Sequence, residues 1–219
     1  MLKNYKLALL VRVVGYCFFV SGLVMTIFML GPTMVAEAGY RIDQMRGIRR
    51  LVAPQTQPGQ TFSNIQSQED LIVPVSTEYG IVIEKINANA RIIPNVNSGN
   101  EKEYSRALTK GVAEASGSTK PGEAGNLYLF SHSTDAPWNI VRYNAVFYLL
   151  RELVAGDRVI IFYNNRRYDY VVFDKVVVSP KETAYLTNKY DVPVLTLQTC
   201  DPPGTLINRL VVRARLVSS

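Results

Sequence analysis

Three side chains in this sequence can do covalent chemistry on a carbonyl group. His132 is the single histidine among 219 residues, and Cys200 is one of two cysteines. His132 follows the run Leu127-Tyr128-Leu129-Phe130-Ser131, and Cys200 closes Leu195-Thr196-Leu197-Gln198-Thr199. Arg209 stands nine positions after Cys200, at the start of another apolar run. A thiolate attacks carbonyl carbon, an imidazole carries protons, and a guanidinium donates hydrogen bonds to a developing oxyanion. The Cys and the His both sit where strands end and loops gather into sites. The plainer readings stay open at this stage. A lone cysteine is commonly a packing residue, a lone histidine commonly a satisfied core or surface group, and periodicity alone does not bring the three together.

These residues need a scaffold, and the pattern around them is mainly β. Strand candidates are Gly80–Ile86, Asn126–His132, Asp157–Asn164, Arg167–Val178, Pro193–Thr199 and Ile207–Val217. Asn164-Asn165 is expected to form a hairpin turn, because Asn tolerates positive φ. In the last strand Leu210, Val212, Ala214 and Leu216 alternate with Arg209, Val211, Arg213 and Arg215. The two-residue period sends the first set to the core and projects Arg209 from the wall. Val146–Leu153 is expected to be one amphipathic helix, with Phe147, Leu150 and Val154 on one face. Strands at this density with one or two short helices indicate a small closed barrel.

The N-terminal part is different in kind. No charged side chain occurs from Val13 to Ala36, long enough to cross a bilayer core of about 30 Å. Ala36-Glu37-Ala38 resembles a signal-peptidase site with cleavage after Ala38. The apolar run exceeds the usual cleaved length, which favours an uncleaved single-pass anchor. The positive-inside rule is nearly tied, and a long C-terminal domain can translocate regardless. Residues 37–52 could continue as helix, weakened by Gly39 and Gly47. Residues 53–70 are Pro-, Gln- and Ser-rich and have the composition of a linker. The expected organisation is therefore 1–36 cytoplasmic tip and anchor, 37–70 juxtamembrane segment and linker, and 71–219 folded domain.

Composition excludes several functions. One His and two Cys cannot furnish an ordinary zinc site or a disulfide scaffold. Cys17 lies inside the apolar run, reads as a small packing residue and is out of reach of Cys200. The domain therefore carries one thiol, worth attention in an exported protein. The net charge of +6 invites a nucleic-acid reading. Residues 1–50 alone contribute +5 of it, flanking the apolar run, so no nucleic-acid partner is expected.

The segment Leu195–Cys200, followed by Arg209-Leu210-Val211-Val212 and Ala214, resembles the C-terminal signature of the sortase family. Lys110-Gly111-Val112 and Pro121-Gly122-Glu123-Ala124-Gly125-Asn126, leading into Ser131-His132, resemble that family's approach to its catalytic histidine. Ile81–Ile93 resembles its first strand and exit, and Phe147, Leu150, Gly156-Asp157 and Tyr170 follow in order. The resemblance covers residues 80–217 and implies a sortase-like β-barrel of about eight strands behind an N-terminal membrane helix. Two departures blur the subfamily: Ser131 stands where Gly is common, and Ser133 where Arg is frequent. No second apolar run follows the last strand, so the pilin type with a C-terminal membrane helix is not expected. Asp135–Trp138 is only loosely like that type's lid and reads as a loop.

The resemblance implies a cysteine transpeptidase. Cys200 would attack the threonine carbonyl of a C-terminal sorting signal like Leu-Pro-x-Thr-Gly, His132 would protonate the leaving amine, and Arg209 would bind the acyl oxygen or orient the substrate. Thr199, Ser131 and Asp201 would line the substrate site, and the loop Ser179–Pro193 would help hold the motif. An amine of the cell wall or of another protein would resolve the thioacyl-enzyme. The implied partners are surface proteins bearing the signal, the amine acceptor and the membrane, with the catalytic domain on the extracytoplasmic side. Two alternatives remain: a membrane-anchored cysteine peptidase transferring to water, and a non-catalytic binding barrel. Some sortases are activated by calcium. Glu78, Glu84, Glu101, Glu103 and Glu114 supply carboxylates without recognisable ligand spacing, so no cofactor or required metal is expected.

Overall fold

The structure, a computed structural model, describes residues 2–48, 50–52, 71–133 and 146–218. The expected linker 53–70 and the Asp135–Trp138 loop lie outside the described residues.

The chain opens with one long helix, α1 (Leu2–Arg46). Its stretch Leu9–Phe28 is long and apolar enough to cross a membrane and is not buried against the rest of the chain. Gly39 does not interrupt the helix, but Gly47 ends it. Gly47 takes φ +66°, and the Ile48 N–H donates to Asp43 O at 3.0 Å while the Gly47 N–H donates to Gln44 O at 3.2 Å. This is the Schellman arrangement, which satisfies the last carbonyls. The short strands β1 (Leu51–Val52) and β2 (Leu71–Ile72) then pair in parallel. Val52 and Ile72 bury against Val82, Ile160 and Phe162 on the outer barrel wall.

Eight strands close the barrel: β3 (Tyr79–Ile83), β4 (Ala88–Val96), β5 (Val112–Ala115), β6 (Gly125–Phe130), β7 (Arg158–Tyr163), β8 (Arg166–Val178), β9 (Pro193–Asp201) and β10 (Asn208–Ser218). Their order around the barrel is β10-β8-β7-β3-β4-β5-β6-β9, and β9 closes on β10. The sheet is mixed, with β4–β5 and β6–β9 parallel. Closure leaves the barrel itself without an edge strand. The interior is filled by residues such as Ile81, Leu127, Leu129, Ile161, Leu195 and Leu197. A second apolar cluster lies outside the barrel beneath α2 (Glu101–Leu108) and includes Leu108, Ala113, Tyr128 and Phe130.

Five of the six strand candidates end within about two residues of the observed strands, ordinary fraying between assignments. In the sixth, Gly80–Ile86, the last three residues form a 3₁₀ turn. Asn164 and Asn165 both have positive φ and make the two-residue β7–β8 hairpin. Val146–Leu153 departs from expectation. Instead of one α-helix it is a turn followed by a 3₁₀ turn, Leu150–Glu152. A 3₁₀ turn repeats every three residues. Phe147, Leu150 and Leu153 therefore share a face, are fully buried and close one end of the barrel, whereas Val154 is exposed.

Candidate functional site

The site is built by strand register. In β9 the interior residues are Leu195 and Leu197, so Thr196, Gln198 and Cys200 face outward. Cys200 pairs with Arg209 across β9–β10, and Gln198 pairs with Val211. On the other side β6 runs parallel to β9, with Phe130 opposite Gln198. Continuing that register by two residues sets His132 beside Cys200. The Ser131 N–H donates to Gln198 O at 3.1 Å, and the Thr199 hydroxyl donates to Ser131 O at 3.0 Å. These bonds hold the chain on register past the end of β6. His132, Cys200 and Arg209 thus form one row across three neighbouring strands, which are about 4.8 Å apart.

All three line one cleft of ≈ 530 Å³. Its walls are α2 on one side, with Tyr104 and Leu108, and the β8–β9 connection on the other, with Pro180 and Leu186. His132, Cys200 and Arg209 are half-buried, so each is reachable yet partly shielded from water. Neither Cys17 nor Cys200 is in a disulfide.

Two arginines of β10 face outward near the cleft, and their surroundings separate them. Arg213 pairs with Asp174 at 2.7 Å, donates to the Tyr190 hydroxyl and stacks on Phe173 and Tyr185. Arg209 donates through Nη1 to the carbonyls of Asn208 (3.1 Å) and Leu206 (3.4 Å) and forms no carboxylate pair among the described residues. Its charge also reaches the floor of the cleft: burial pushes the Tyr128 phenol up, and Arg209 opposes that shift.

Of the other expected site residues, Thr199 and Ser131 are buried and line the cleft. Thr199 also carries the hydroxyl bond that positions Ser131. Asp201 lies opposite Asn208 at the end of β9 and is outside the cleft wall among the described residues. The loop 179–192 contributes wall residues, including the short helix α3 (Ala184–Thr187).

The sequence reading passed over α2 and a polar pair in the floor. α2 is capped by Asn100, whose side chain accepts from the Glu103 N–H at 3.3 Å, while the Glu103 carboxylate accepts from the Asn97 N–H at 2.8 Å. Asn followed three residues later by Glu is the capping signal that could have revealed it. In the floor, the Tyr128 hydroxyl donates to the Gln198 carboxamide oxygen. Asn126 ties wall to floor, accepting from Thr196 Oγ1 at 2.7 Å and donating to Tyr185 O at 2.9 Å.

Gly111, in the segment leading to β5, has a steric reason. A Cβ there would sit 2.3 Å from the Arg91 carbonyl oxygen, so only glycine admits this approach of β4 to the start of β5.

No group of three or more His, Cys, Asp or Glu side chains is arranged to hold a metal ion among the described residues. Glu84 accepts from the Val52 N–H, Glu103 accepts from the Asn97 N–H, and Glu114 accepts from the Tyr79 hydroxyl and pairs with Lys120 at 3.0 Å.

The sortase-domain family model matches residues 81–217, which run from within β3 to within β10. The chain belongs to the sortase family. Among solved structures it is similar to sortase C-1 from Actinomyces oris, at 28% identity over 66% of this chain and 76% of that one, with a TM-score of 0.55. It is also similar to the Clostridium perfringens sortase D5 transpeptidase (25% identity, 64% and 79% covered, TM-score 0.53) and to sortase C1 from Streptococcus suis (25%, 65% and 75%, 0.54). No curated protein matches it. Sortases are cysteine transpeptidases of the cell surface, acting on sorting-signal substrates and amine acceptors. The closed eight-stranded mixed barrel of this sortase is that family's fold.

Proposed function

We propose that this sortase cleaves a C-terminal sorting signal of the Leu-Pro-x-Thr-Gly kind and transfers the acyl part to an amine. The observation that carries the reading is the row His132–Cys200–Arg209 on the outer face of β6, β9 and β10, opening into one cleft. In the first half-reaction the Cys200 thiolate attacks the threonine carbonyl. The C–N bond breaks, a thioester forms, and the leaving amine takes its proton from His132. In the second, an incoming amine gives a proton to His132 and displaces the thiolate, so the enzyme returns unchanged. Arg209, lying across from Cys200, donates to the acyl oxygen or to the adjoining peptide backbone. Thr199 and Ser131 keep His132 in line with Cys200, and Asp201 borders the site. No metal or cofactor enters this scheme. The α1 stretch Leu9–Phe28 anchors the chain in the membrane with residues 71–219 on the extracytoplasmic side.

The test is mass spectrometry of the full chain after incubation with a pool of sorting-signal peptides. An adduct on Cys200 with the mass of the N-terminal product is expected, and its transfer to added amine separates a transpeptidase from a peptidase using water. Absence of any adduct across the pool would overturn the proposal.

A further inference from the structure

Strand directions fix which end of the barrel carries the chemistry. β9 ends at Asp201 and β10 begins at Asn208, so Cys200 and Arg209 lie at one end. β6 runs parallel to β9, which brings His132 to the same end. Around the barrel, β8 finishes there, β7 starts there at Arg158, and β3 finishes there at Ile83 before the turn Glu84–Ile86. The turn Leu150–Glu152 packs into the core immediately before β7 and closes this end.

α1 docks at the same end. Glu37 pairs with Arg151 at 2.8 Å, and the Arg151 guanidinium lies 5.0 Å from the centre of the Tyr148 ring. Tyr40 packs against the barrel core, where Lys85, Glu152 and Asp157 act electrostatically on its phenol. Beyond the helix, Arg50 pairs with Asp43, and the Val52 N–H donates to Glu84 at 2.8 Å. The helix is thus joined to the barrel by contacts on both sides of Gly47. Glu37 is nine residues past Phe28, about 14 Å of helix at about 1.5 Å per residue. The headgroup layer extends roughly 5–7 Å beyond the hydrocarbon on each side, so this dock holds the barrel end close to it.

That end also shows apolar side chains to solvent: Val154 before β7, 51% exposed, and Ile207 in the β9–β10 turn, 65% exposed. Leu206, 71% exposed, lies beside Ile207 at the rim of the cleft. Apolar side chains on loops at a membrane-proximal end are suited to the headgroup–acyl boundary.

We propose that the barrel end carrying His132, Cys200 and Arg209 is a lipid-facing surface, seated on the bilayer that α1 crosses and held there by the Glu37–Arg151 dock. The cleft then opens at the membrane surface, at a fixed height, and serves peptide segments tethered to that membrane in preference to free ones. This rests on the reading of Leu9–Phe28 as an anchor and, for the activity readout, on the acyl-transfer function above.

The test uses the full chain in phosphatidylcholine–phosphatidylglycerol vesicles. In one arm a single tryptophan is placed by Ile207→Trp, or at the opposite barrel end by Val192→Trp, each in the Trp138→Phe background. Brominated lipid is expected to quench position 207 at least several-fold more than position 192; equal quenching, or none at 207, overturns the proposal. In the other arm one sorting-signal peptide is supplied free and lipid-tethered. Glu37→Arg and Arg151→Glu should each lower the tethered acylation rate about tenfold, the double swap should restore it, and free-peptide rates should stay within about twofold. Unchanged tethered rates in the single variants, or no recovery in the double, also overturn it. If even the free peptide gives no acyl-enzyme, the function proposal fails, while the quenching arm still decides the seating.

Discussion

Cys200 and Arg209 are register partners across β9–β10, both on the outer face of the barrel. Their juxtaposition is a property of backbone pairing, not of a flexible loop. Substituting either side chain therefore removes a chemical group while leaving the strands paired. Cys200→Ala is expected to abolish thioester formation with any sorting-signal peptide, and Cys17→Ala to leave it intact, both read by intact-protein mass spectrometry. Retained adduct in Cys200→Ala would remove Cys200 as nucleophile.

Arg209 and Arg213 should separate activity from stability. Arg209→Ala and His132→Ala are expected to lose at least about a hundredfold in turnover, the range of one oxyanion donor or one acid–base group, with little change in melting temperature. Arg213→Ala removes the pair with Asp174 and the stacking on Phe173 and Tyr185. It should lower the melting temperature by about 2–4 °C while the folded fraction keeps its turnover. Melting curves and steady-state kinetics on the same preparations check both.

Tyr128→Phe tests the floor of the cleft. It removes the donor to Gln198, a half-buried side chain that lines the cleft. A loss of about 0.5–1.5 kcal/mol in unfolding free energy is expected, the net worth of one hydrogen bond. Denaturant titration measures it. A loss below about 0.5 kcal/mol would mean water replaces the bond.

Alkaline pH should unfold the barrel cooperatively. Burial raises the phenols of Tyr79, Tyr128 and Tyr170 above the ordinary 10.0, and the hydrogen bond to Glu114 raises Tyr79 further. Raised acids keep their protons in the folded state after the unfolded chain has lost them. Their stabilisation is complete below pH 10 and is lost above it, by about 1.4 kcal/mol per pH unit for each such tyrosine. Tyrosinate absorbance from these residues should appear together with loss of the folded far-ultraviolet signal, and not before it.

How much of this was legible in the sequence depended on whether a strand was covered on one face or two. β10 alternated cleanly at Leu210, Val212 and Ala214, and those residues are buried. β4 and β5 were not picked out as strands: Pro94 interrupts one, and the other is four residues long, Val112–Ala115, with every residue buried. Such a strand is covered on both faces, so no alternation of apolar-buried with polar-exposed residues marks it. The chemistry-bearing residues stood out because they are scarce. Their common row did not, because register between β6 and β9 is set by parallel pairing of strands that lie far apart in sequence. Phe147 and Leu150, three apart, fit an α-helix and a 3₁₀ turn alike; the expected helical face adds Val154, whereas Leu153 is the buried residue and Val154 points to water.

Leu51 and Leu71 are neighbours in space although twenty positions apart in sequence. Val52 and Ile72, on either side of the intervening segment, are both buried against the barrel wall. A proteolytic cut between Val52 and Leu71 would divide the polypeptide in two without dividing the particle. The anchor half would still grip the barrel through Glu37, Tyr40 and Val52, as the pieces of a nicked protein often do. Gel bands after limited digestion would then report two chains, while the barrel half stayed bound to the α1 half.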